Sequence, residues 1–367
     1  MENQFAYPHK ELLRTPADLS KFFVITVVSN PVRYKRRNEL YWRFKEMCES
    51  AGVQLITVEQ AFGNRPFMVT NGGSRYQLQV RTVEELWHKE NMINLGIRHA
   101  CATFPGQVRE VAWIDADCAP SCPPREWFEE TWHQLQHYEF VQMWENLIDL
   151  DYSHNPIGPA LPGFMANYIK YGSPNPKQLL EIESKSRRCH CHPRHHTHKH
   201  HRHRHHPKPP QHYPYGKIFG RPGLAWAANV DAFNKVGGLI DYCILGAGDW
   251  YMAHALVGTL ETCTAEYAGG AYQKKMFQWQ ETALRWIKKD VGYVPGTVFH
   301  YFHGKKKNRF YGSRGKILHD CQYDPDKDVK YDSQGLLQLE TWDERQIQLR
   351  DRIRAYFRSR NEDDISS

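Results

Sequence analysis

Two aspartates separated by one residue end the apolar run Val111-Ala112-Trp113-Ile114-Asp115-Ala116-Asp117. Residues i and i+2 of an extended chain point the same way, so a strand with this ending brings both carboxylates to one place at its carboxyl end. An Asp-x-Asp pair alone is common as a helix cap or in a solvated turn. After a buried strand, however, two hard oxygen ligands suit Mg²⁺ or Mn²⁺ better than Zn²⁺. The run therefore predicts a divalent-cation site and a phosphorylated ligand.

Strands and helices alternate on the amino-terminal side of this run. Residues 22–28 are β-branched and aromatic, as in a strand buried on both faces, residues 36–50 have helical periodicity, and residues 53–58 predict a second strand. Residues 83–104 predict another amphipathic helix, directly before the strand that ends at Asp115. This alternation predicts an α/β fold with a mostly parallel, Rossmann-like sheet, whose ligands bind at the carboxyl ends of the strands.

The second half of the chain continues the pattern after an interruption, and we expect order to resume at Ile218. The elements predicted there are a strand at residues 224–228, a helix from Asp231, a turn at Gly237-Gly238, an amphipathic segment at residues 272–288 and a helix at residues 340–358.

Length and composition indicate a globular protein. The 367 residues allow one large α/β domain or two smaller ones, and aromatic residues make up 13% of the chain. Residues 1–20 are polar and no apolar run approaches the roughly 20 residues of a membrane span. Nine cysteines without a framework spacing favour reduced thiols. We therefore expect a cytoplasmic protein, or one of a host's cytoplasm or nucleus if it is viral, that is neither secreted nor membrane-spanning.

The net charge of +7 has a local origin. Residues 185–208 contain eight Lys or Arg and no Asp or Glu, and the rest of the chain is nearly neutral. Eleven of the 21 histidines lie between His190 and His212. This composition cannot bury a core, so residues 185–215 are predicted to be a disordered insertion. The insertion is either a passive low-complexity segment or a cationic arm for an anionic acceptor such as DNA.

Two further motifs carry chemistry. The glycine-rich turn Leu245-Gly246-Ala247-Gly248-Asp249-Trp250 leads into a helical pattern, so Asp249 either caps that helix or accepts a proton from an attacking hydroxyl. The stretch from Phe299 to Tyr311 contains His300, His303 and a cationic run. A histidine next to glycine after an apolar strand can complete an oxygen-rich metal shell, and the cations behind it can neutralise a diphosphate leaving group.

Together these motifs resemble the metal-dependent glycosyltransferases of the GT-A fold. The resemblance covers roughly residues 20–320 and includes the helix that reads Leu86-Trp87-His88-Lys89-Glu90-Asn91-Met92-Ile93-Asn94-Leu95-Gly96-Ile97. The chain is similar in particular to phage and viral enzymes allied to the glucosyltransferases that modify hydroxymethyl bases in DNA, including the base J type. The resemblance implies a GT-A-like three-layer sandwich with an acceptor-side C-terminal part.

The resemblance also implies roles for individual residues. Asp115 and Asp117 would hold Mn²⁺ or Mg²⁺, with Asp117 the direct ligand, His303 the late ligand and His300 in reserve. Asp249 would be the acceptor base, which favours inversion of the anomeric configuration. Trp113 and Trp226 would either stack on the sugar or base or be buried in the core. The positions expected to bind the nucleotide-sugar donor are Thr26, Val27, Ser29, Arg33, Glu59, Lys89, Asn94, Asp115, Lys305 and Arg309.

The expected function is that of a metal-dependent hexosyltransferase. It would move a sugar from a nucleotide sugar, such as a UDP-sugar, to a hydroxymethylated pyrimidine in DNA, or alternatively to a protein or polysaccharide. A sugar nucleotidyltransferase would need a glycine-rich, lysine-bearing loop after the first strand, where this chain has Ser29-Asn30-Pro31-Val32. A non-enzymatic metal-binding or nucleic-acid-binding protein would leave both acidic motifs unexplained.

These assignments divide the chain into four parts. Residues 20–184 form the predicted nucleotide-sugar-binding half, and residues 185–215 the insertion. Residues 216–320 form the predicted acceptor and catalytic half of the same domain, and residues 321–367 a helical extension.

Overall fold

The computed structural model describes four stretches of the chain, residues 16–172, 220–263, 270–340 and 343–364. The predicted insertion at residues 185–215 and the expected return to order at Ile218 lie outside the described residues. Among the helices of the described stretches, none is both long and apolar enough to cross a membrane.

The regular elements alternate between strand and helix through the first half of the chain. The strands are β1 (Phe22–Ser29), β2 (Gln54–Phe62), β3 (Gln77–Thr82), β4 (Glu110–Ile114), β5 (Cys118–Pro120), β6 (Phe140–Gln142), β7 (Asn146–Asp149), β8 (Leu161–Pro162), β9 (Ala225–Asn229), β10 (Val291–Tyr293), β11 (Thr297–His300), β12 (Val329–Tyr331) and β13 (Leu337–Leu339). The α-helices are α1 (Lys35–Ala51), α2 (Lys89–Thr103), α3 (Pro124–Leu135), α4 (Phe164–Tyr171), α5 (Val230–Lys235), α6 (Gly248–Val257), α7 (Gly270–Trp286), α8 (Lys316–Asp320) and α9 (Glu344–Ser359).

A seven-stranded sheet lies at the centre, in the order β10-β6-β9-β4-β1-β2-β3. Six of its strands run in the same direction, and β9 runs against them between β4 and β6. The predicted α/β class and the mostly parallel sheet are therefore confirmed. The carboxyl ends of β1 and β4 meet at one edge, which is where a ligand is expected in such a sheet.

Side chains of β1 alternate between two hydrophobic cores. Phe22 and Val24 pack in one core with Phe44 of α1, and Phe23 packs in the other with Met92 of α2. Both faces of the sheet are covered by helices, which agrees with a three-layer sandwich. This double burial explains why β1 is apolar at consecutive positions and does not alternate with polar residues.

A second, four-stranded sheet has the order β5-β11-β7-β8. In it β11 lies between β5, to which it is antiparallel, and β7, to which it is parallel. A separate hairpin pairs β12 with β13. Apart from β11, which matches the apolar strand expected before the His303-Gly304 pair, these short strands were not predicted, because segments of two to four residues are too brief to show a period of two.

Two predicted helices begin later than expected. The helix expected from residue 83 starts at Lys89, because Trp87 N donates to Ile244 O at 2.9 Å and Glu84 N donates to Thr82 Oγ1 at 2.9 Å. The helix expected from residue 340 starts at Glu344, where the Asp343 carboxylate accepts a hydrogen bond from Gln346 N at 2.7 Å. Both boundaries are set by contacts that helical periodicity does not contain.

Gly96 allows α2 to lie close to the sheet. A Cβ at this position would be 2.6 Å from Ile25 Cγ2 and 2.9 Å from Val58 Cγ2. Real Cβ atoms do not approach other carbons so closely, so the glycine lets the helix backbone contact β1 and β2 directly. The close contact brings Lys89 and Glu90, at the start of the helix, to the edge of the sheet.

We predict that Gly96→Ala lowers the midpoint of thermal unfolding. The gain in helix propensity is about 1 kcal/mol, whereas overpacking of a tight core costs about 1–3 kcal/mol. Gly270→Ala is the matched control, since Gly270 opens α7 and no atom of the described residues lies within 4 Å of its Cβ position. Circular dichroism melting curves of both variants measure the effect, and an unchanged or raised midpoint in Gly96→Ala would contradict the packing argument.

Candidate metal centre and cavity

A cavity of about 350 Å³ opens at the carboxyl ends of β1 and β4. Its polar wall combines a cluster of one aspartate and two histidines, a set of arginines, and an acidic group at the start of α6. The residues that carry these groups are Lys89, Glu90, Asp115, Asp117, Asp149, Arg221, Asp249, His300, His303, Lys306, Arg309 and Arg314. Val27 and Ser29 line the cavity as well, at the end of β1.

The two aspartates after β4 point to different partners. Asp115 pairs with Lys89, whose Nζ lies 2.6 Å from Oδ1 and 2.7 Å from Oδ2. Asp117 Oδ2 lies 2.9 Å from His303 Nε2. The chain turns at residues 116–117 instead of continuing as a strand, so the i, i+2 alignment expected for an extended chain does not hold.

Asp117, His300 and His303 form the cluster that could hold a metal ion. One ligand atom from each residue lies within 4.8 Å of the others. The two Nε2 atoms are 3.1 Å apart, and His300 Nε2 lies 3.9 Å from Asp117 Oδ2. Asp117 Oδ1 is buried without a hydrogen-bond partner in the described part of the chain. A buried carboxylate oxygen in this state is costly, and a cation would compensate for it.

The small sheet brings these ligands together. His300 at the end of β11 is in register with Cys118 of β5, next to Asp117, and with Asp149 of β7. Tyr301 N continues the contact by donating to Asp117 O at 2.7 Å. His303 follows three residues after the strand. The site therefore combines the turn after β4 with the ends of two strands that are distant in sequence.

Asp149 was missed by the sequence analysis. Its Oδ1 accepts a hydrogen bond from His300 Nδ1 at 2.8 Å, and Lys306 contacts its other oxygen. A second apolar run that ends in an acidic residue, Asn146-Leu147-Ile148-Asp149, was the available signal. A carboxylate on Nδ1 fixes the ring so that Nε2 faces the cluster, as is usual for metal-binding histidines.

The ionisation states suit metal binding. Burial opposes ionisation of Asp117, but His303 and His300 outweigh it and hold the pKa of this carboxyl far below its usual value. Burial, with Arg309 nearby, lowers the pKa of His303. Hydrogen bonds from His300 and Lys306 overcome burial and keep the pKa of Asp149 low. An ionised carboxylate and a neutral imidazole are the forms that bind a cation.

Three guanidinium groups in the cavity wall lack a carboxylate partner among the described residues. Arg309 is buried and donates to His303 O at 2.7 Å, and its Nε has no partner in the described part. Arg221 Nε is likewise buried and unpartnered there. Arg314 donates to Tyr356 Oη at 2.9 Å and lies against aromatic rings. Such uncompensated positive charge favours an anionic ligand.

A second acidic group surrounds the start of α6. Asp249 is the second residue of that helix, and its Oδ1 accepts a hydrogen bond from Trp250 N at 2.8 Å. The residue at the N-cap is Ala247, with φ of 76°, so the alternative in which Asp249 is the helix cap is wrong, and Asp249 lies in the first turn instead. Glu90 packs against the same turn, because a Cβ on Gly248 would lie 2.7 Å from its Cδ.

Glu90 is held in its protonated form near neutral pH. Burial is the main cause, and the nearby Asp249 charge adds to it, whereas Lys89 acts in the opposite direction. Together they raise the pKa of Glu90 from its usual 4.5 to about 8. Glu90 was not selected from the sequence. Its environment contrasts with that of Asp117, so one cavity contains both a protonated and an ionised acid.

Several predicted donor-binding residues lie away from the cavity wall. Thr26 Oγ1 donates to Ile114 O at 3.0 Å within the sheet. The buried Glu59 carboxylate accepts hydrogen bonds from Val69 N and Thr70 N. Asn94 donates to Leu239 O and accepts from Leu239 N. These three side chains connect elements of the core.

The other predicted positions lie in different parts of the structure. Arg33, with φ of 64°, borders a separate surface cleft beside Glu85. Lys305 lies 3.8 Å from Asp364 and does not line the cavity. Trp113 and Trp226 are buried core residues, and Trp226 Nε1 donates to Pro222 O at 2.5 Å. Lys89, Arg309, Val27 and Ser29 remain in the cavity wall.

Comparison of the chain with models of known protein families, and with curated proteins, finds no match.

We predict that Asp117→Ala, His300→Ala and His303→Ala each weaken Mn²⁺ binding more than about 100-fold. Removal of a partner outside the ligand shell already costs 10–100-fold, so loss of a ligand should cost at least as much. Asp115→Asn is the control and should lose less than about 10-fold, because Lys89 occupies that carboxylate. Calorimetric titration with Mn²⁺ measures the affinity of each variant and of the control. Equal losses at positions 115 and 117 would refute this assignment of ligands.

We also predict that Glu90→Gln flattens the pH dependence of stability. Between pH 4.5 and about 8 the folded protein retains a proton that the unfolded chain has released, so the free energy of unfolding falls as pH rises. The contribution is at most about 1.4 kcal/mol per pH unit for one proton. Urea unfolding of both proteins at pH 5, 7 and 9 measures it. Parallel curves for the two proteins would show that Glu90 titrates normally.

Proposed function

We propose that this protein is a metal-dependent glycosyltransferase of the GT-A type that uses a nucleotide-sugar donor. The observation that carries the proposal is the composition of one cavity wall. A cluster suited to a cation, guanidinium groups without carboxylate partners and the Asp249 carboxylate all face the same space. A sugar diphosphate needs the first two features, and a hydroxyl acceptor needs the third.

The diphosphate would be held by the cluster and the nearby cations. Asp117, His300 and His303 would hold Mn²⁺ or Mg²⁺, which when bound offsets the charge on a departing diphosphate. Arg309 and Arg221 would donate to phosphate oxygens and so satisfy their buried guanidinium groups. The two imidazole ligands favour Mn²⁺ over Mg²⁺, because Mg²⁺ prefers an all-oxygen shell.

Asp249 would act on the acceptor. In a single displacement, the acceptor oxygen forms a bond to the anomeric carbon while the bond from that carbon to the phosphate oxygen breaks. The bonding electrons leave with the nucleoside diphosphate, and the hydroxyl proton moves to the Asp249 carboxylate. This route inverts the anomeric configuration. A hydroxymethylated base in DNA is the proposed acceptor, and a protein or polysaccharide hydroxyl is the alternative.

The direct test is incubation with a panel of nucleotide sugars and Mn²⁺. Release of nucleoside diphosphate by the wild-type protein, lost in Asp117→Ala and after EDTA treatment, would support the donor and metal assignments. Hydroxymethylated DNA is then added and base-linked sugar is sought by mass spectrometry, with unmodified DNA as the control. Absence of hydrolysis and transfer with every donor, in a protein that binds Mn²⁺, would exclude the proposal.

We predict that Asp249→Asn binds Mn²⁺ and donor normally but turns over about 10²–10⁴-fold more slowly, because the amide cannot accept the proton. The matched control is Asp231→Asn, since Asp231 is exposed and is also the second residue of its helix, α5. Single-turnover transfer measures the rate, and calorimetry measures binding. Near-normal transfer by Asp249→Asn would remove Asp249 from the role of base.

A further inference from the structure

The chain after α9 passes directly behind the metal cluster. Glu362 in this segment is 1% exposed, although it lies only five residues from the C-terminus. Asp363 attaches the segment to α1 by accepting hydrogen bonds from Lys35 N at 2.9 Å and Arg36 N at 3.0 Å. Tyr34 Oη, just before α1, accepts from Asn361 N at 3.0 Å. The segment is therefore fixed on both sides of Glu362.

Two arginines hold the Glu362 carboxylate in one orientation. Arg37 donates to it through Nε at 2.6 Å and through Nη2 at 2.8 Å, and Arg360 Nε lies 2.5 Å away. These contacts outweigh burial and keep the pKa of Glu362 well below its usual value. An ionised carboxylate in a fixed position is thus available to a further donor.

The ring of His303 lies beside this carboxylate. Its Nδ1 lies 3.8 Å from Glu362 Oε2, while its Nε2 lies 2.9 Å from Asp117 Oδ2 on the opposite side of the ring. His300 has a similar arrangement with a shorter contact, since its Nδ1 lies 2.8 Å from Asp149 Oδ1 and its Nε2 faces the cluster. Each histidine therefore has a carboxylate behind it and a ring nitrogen that faces the cluster. A carboxylate behind a histidine ligand orients the ring and increases its basicity.

We propose that Glu362 is a positioning residue of the metal centre, which accepts a hydrogen bond from Nδ1–H of His303 so that Nε2 can bind the cation. The C-terminal segment would then be part of the metal site. This inference rests on the metal cluster used in the proposed function and does not depend on sugar transfer. Neither the tail nor Glu362 belongs to any motif recognised in the sequence.

Gly304 explains how the segment comes so close. Its φ is 93°, and a Cβ there would lie 2.8 Å from Glu362 Cα and 3.2 Å from Arg360 O. A side chain at position 304 would push the tail away from His303. The His-Gly dipeptide is thus required by contact with the tail, in addition to its left-handed backbone.

We predict that Glu362→Gln weakens Mn²⁺ binding about 10–100-fold, the usual effect of losing a carboxylate behind a histidine ligand. Asp363→Asn is the matched control, because it changes an adjacent attachment of the same tail and makes no contact with His303. Calorimetric titration gives the affinities, and melting curves report the fold. An equal loss in both variants, or full affinity in a folded Glu362→Gln protein, would overturn the proposal.

A second measurement needs no variant. In wild-type protein loaded with diamagnetic Zn²⁺, nitrogen-15 spectra of the histidine rings should show His303 coordinated through Nε2 and protonated at Nδ1. Coordination through Nδ1, or a wild-type protein that binds neither Mn²⁺ nor Zn²⁺, would reject the role of Glu362. Because no sugar is present, a positive result stands even if the protein transfers no glycosyl group.

Discussion

The position of β11 between β5 and β7 is the constraint on which the candidate site depends. Its register sets His300 beside Asp149 and next to the turn that carries Asp117. A slip of one residue would turn His300 to the other face of the small sheet. Three separate parts of the chain would then no longer share one cluster. The large sheet supports this arrangement by delivering β4 to the same edge.

The site places ionisable groups where burial is costly. Asp117, Asp149 and Glu362 are ionised because each has cationic or histidine partners within hydrogen-bonding reach, whereas Glu90, which packs against Gly248, stays protonated near neutral pH. Arg221 and Arg309 have no carboxylate partner among the described residues, and the Nε atom of each is buried there without a hydrogen-bond partner. A fold under selection for stability alone would gain little from this arrangement. Perturbed acids and unpaired cations in a single cavity are typical of a functional site.

Local sequence patterns predicted the fold well where elements are long and buried. The apolar runs of β1 and β4, the amphipathic periods of α1 and α7, and the alternation of strands and helices were sufficient for an α/β fold with a mostly parallel sheet. The short strands β5 and β7 were not predicted, since they contain only three and four residues. Their pairing depends on contacts between distant segments, which leave no local period in the sequence.

The sequence by itself determined which residue types could bind a cation, namely the Asp pair and the two histidines after β11. Only the tertiary structure decided which partners these residues have, because the turn at residues 116–117 separates the two aspartates and Lys89 forms a salt bridge with Asp115. It also places Glu59 and Asn94 in hydrogen bonds within the core, away from the cavity wall. Glu90 and Glu362 became visible only through folding, since a carboxylate gains its chemistry from neighbours that are far away in sequence.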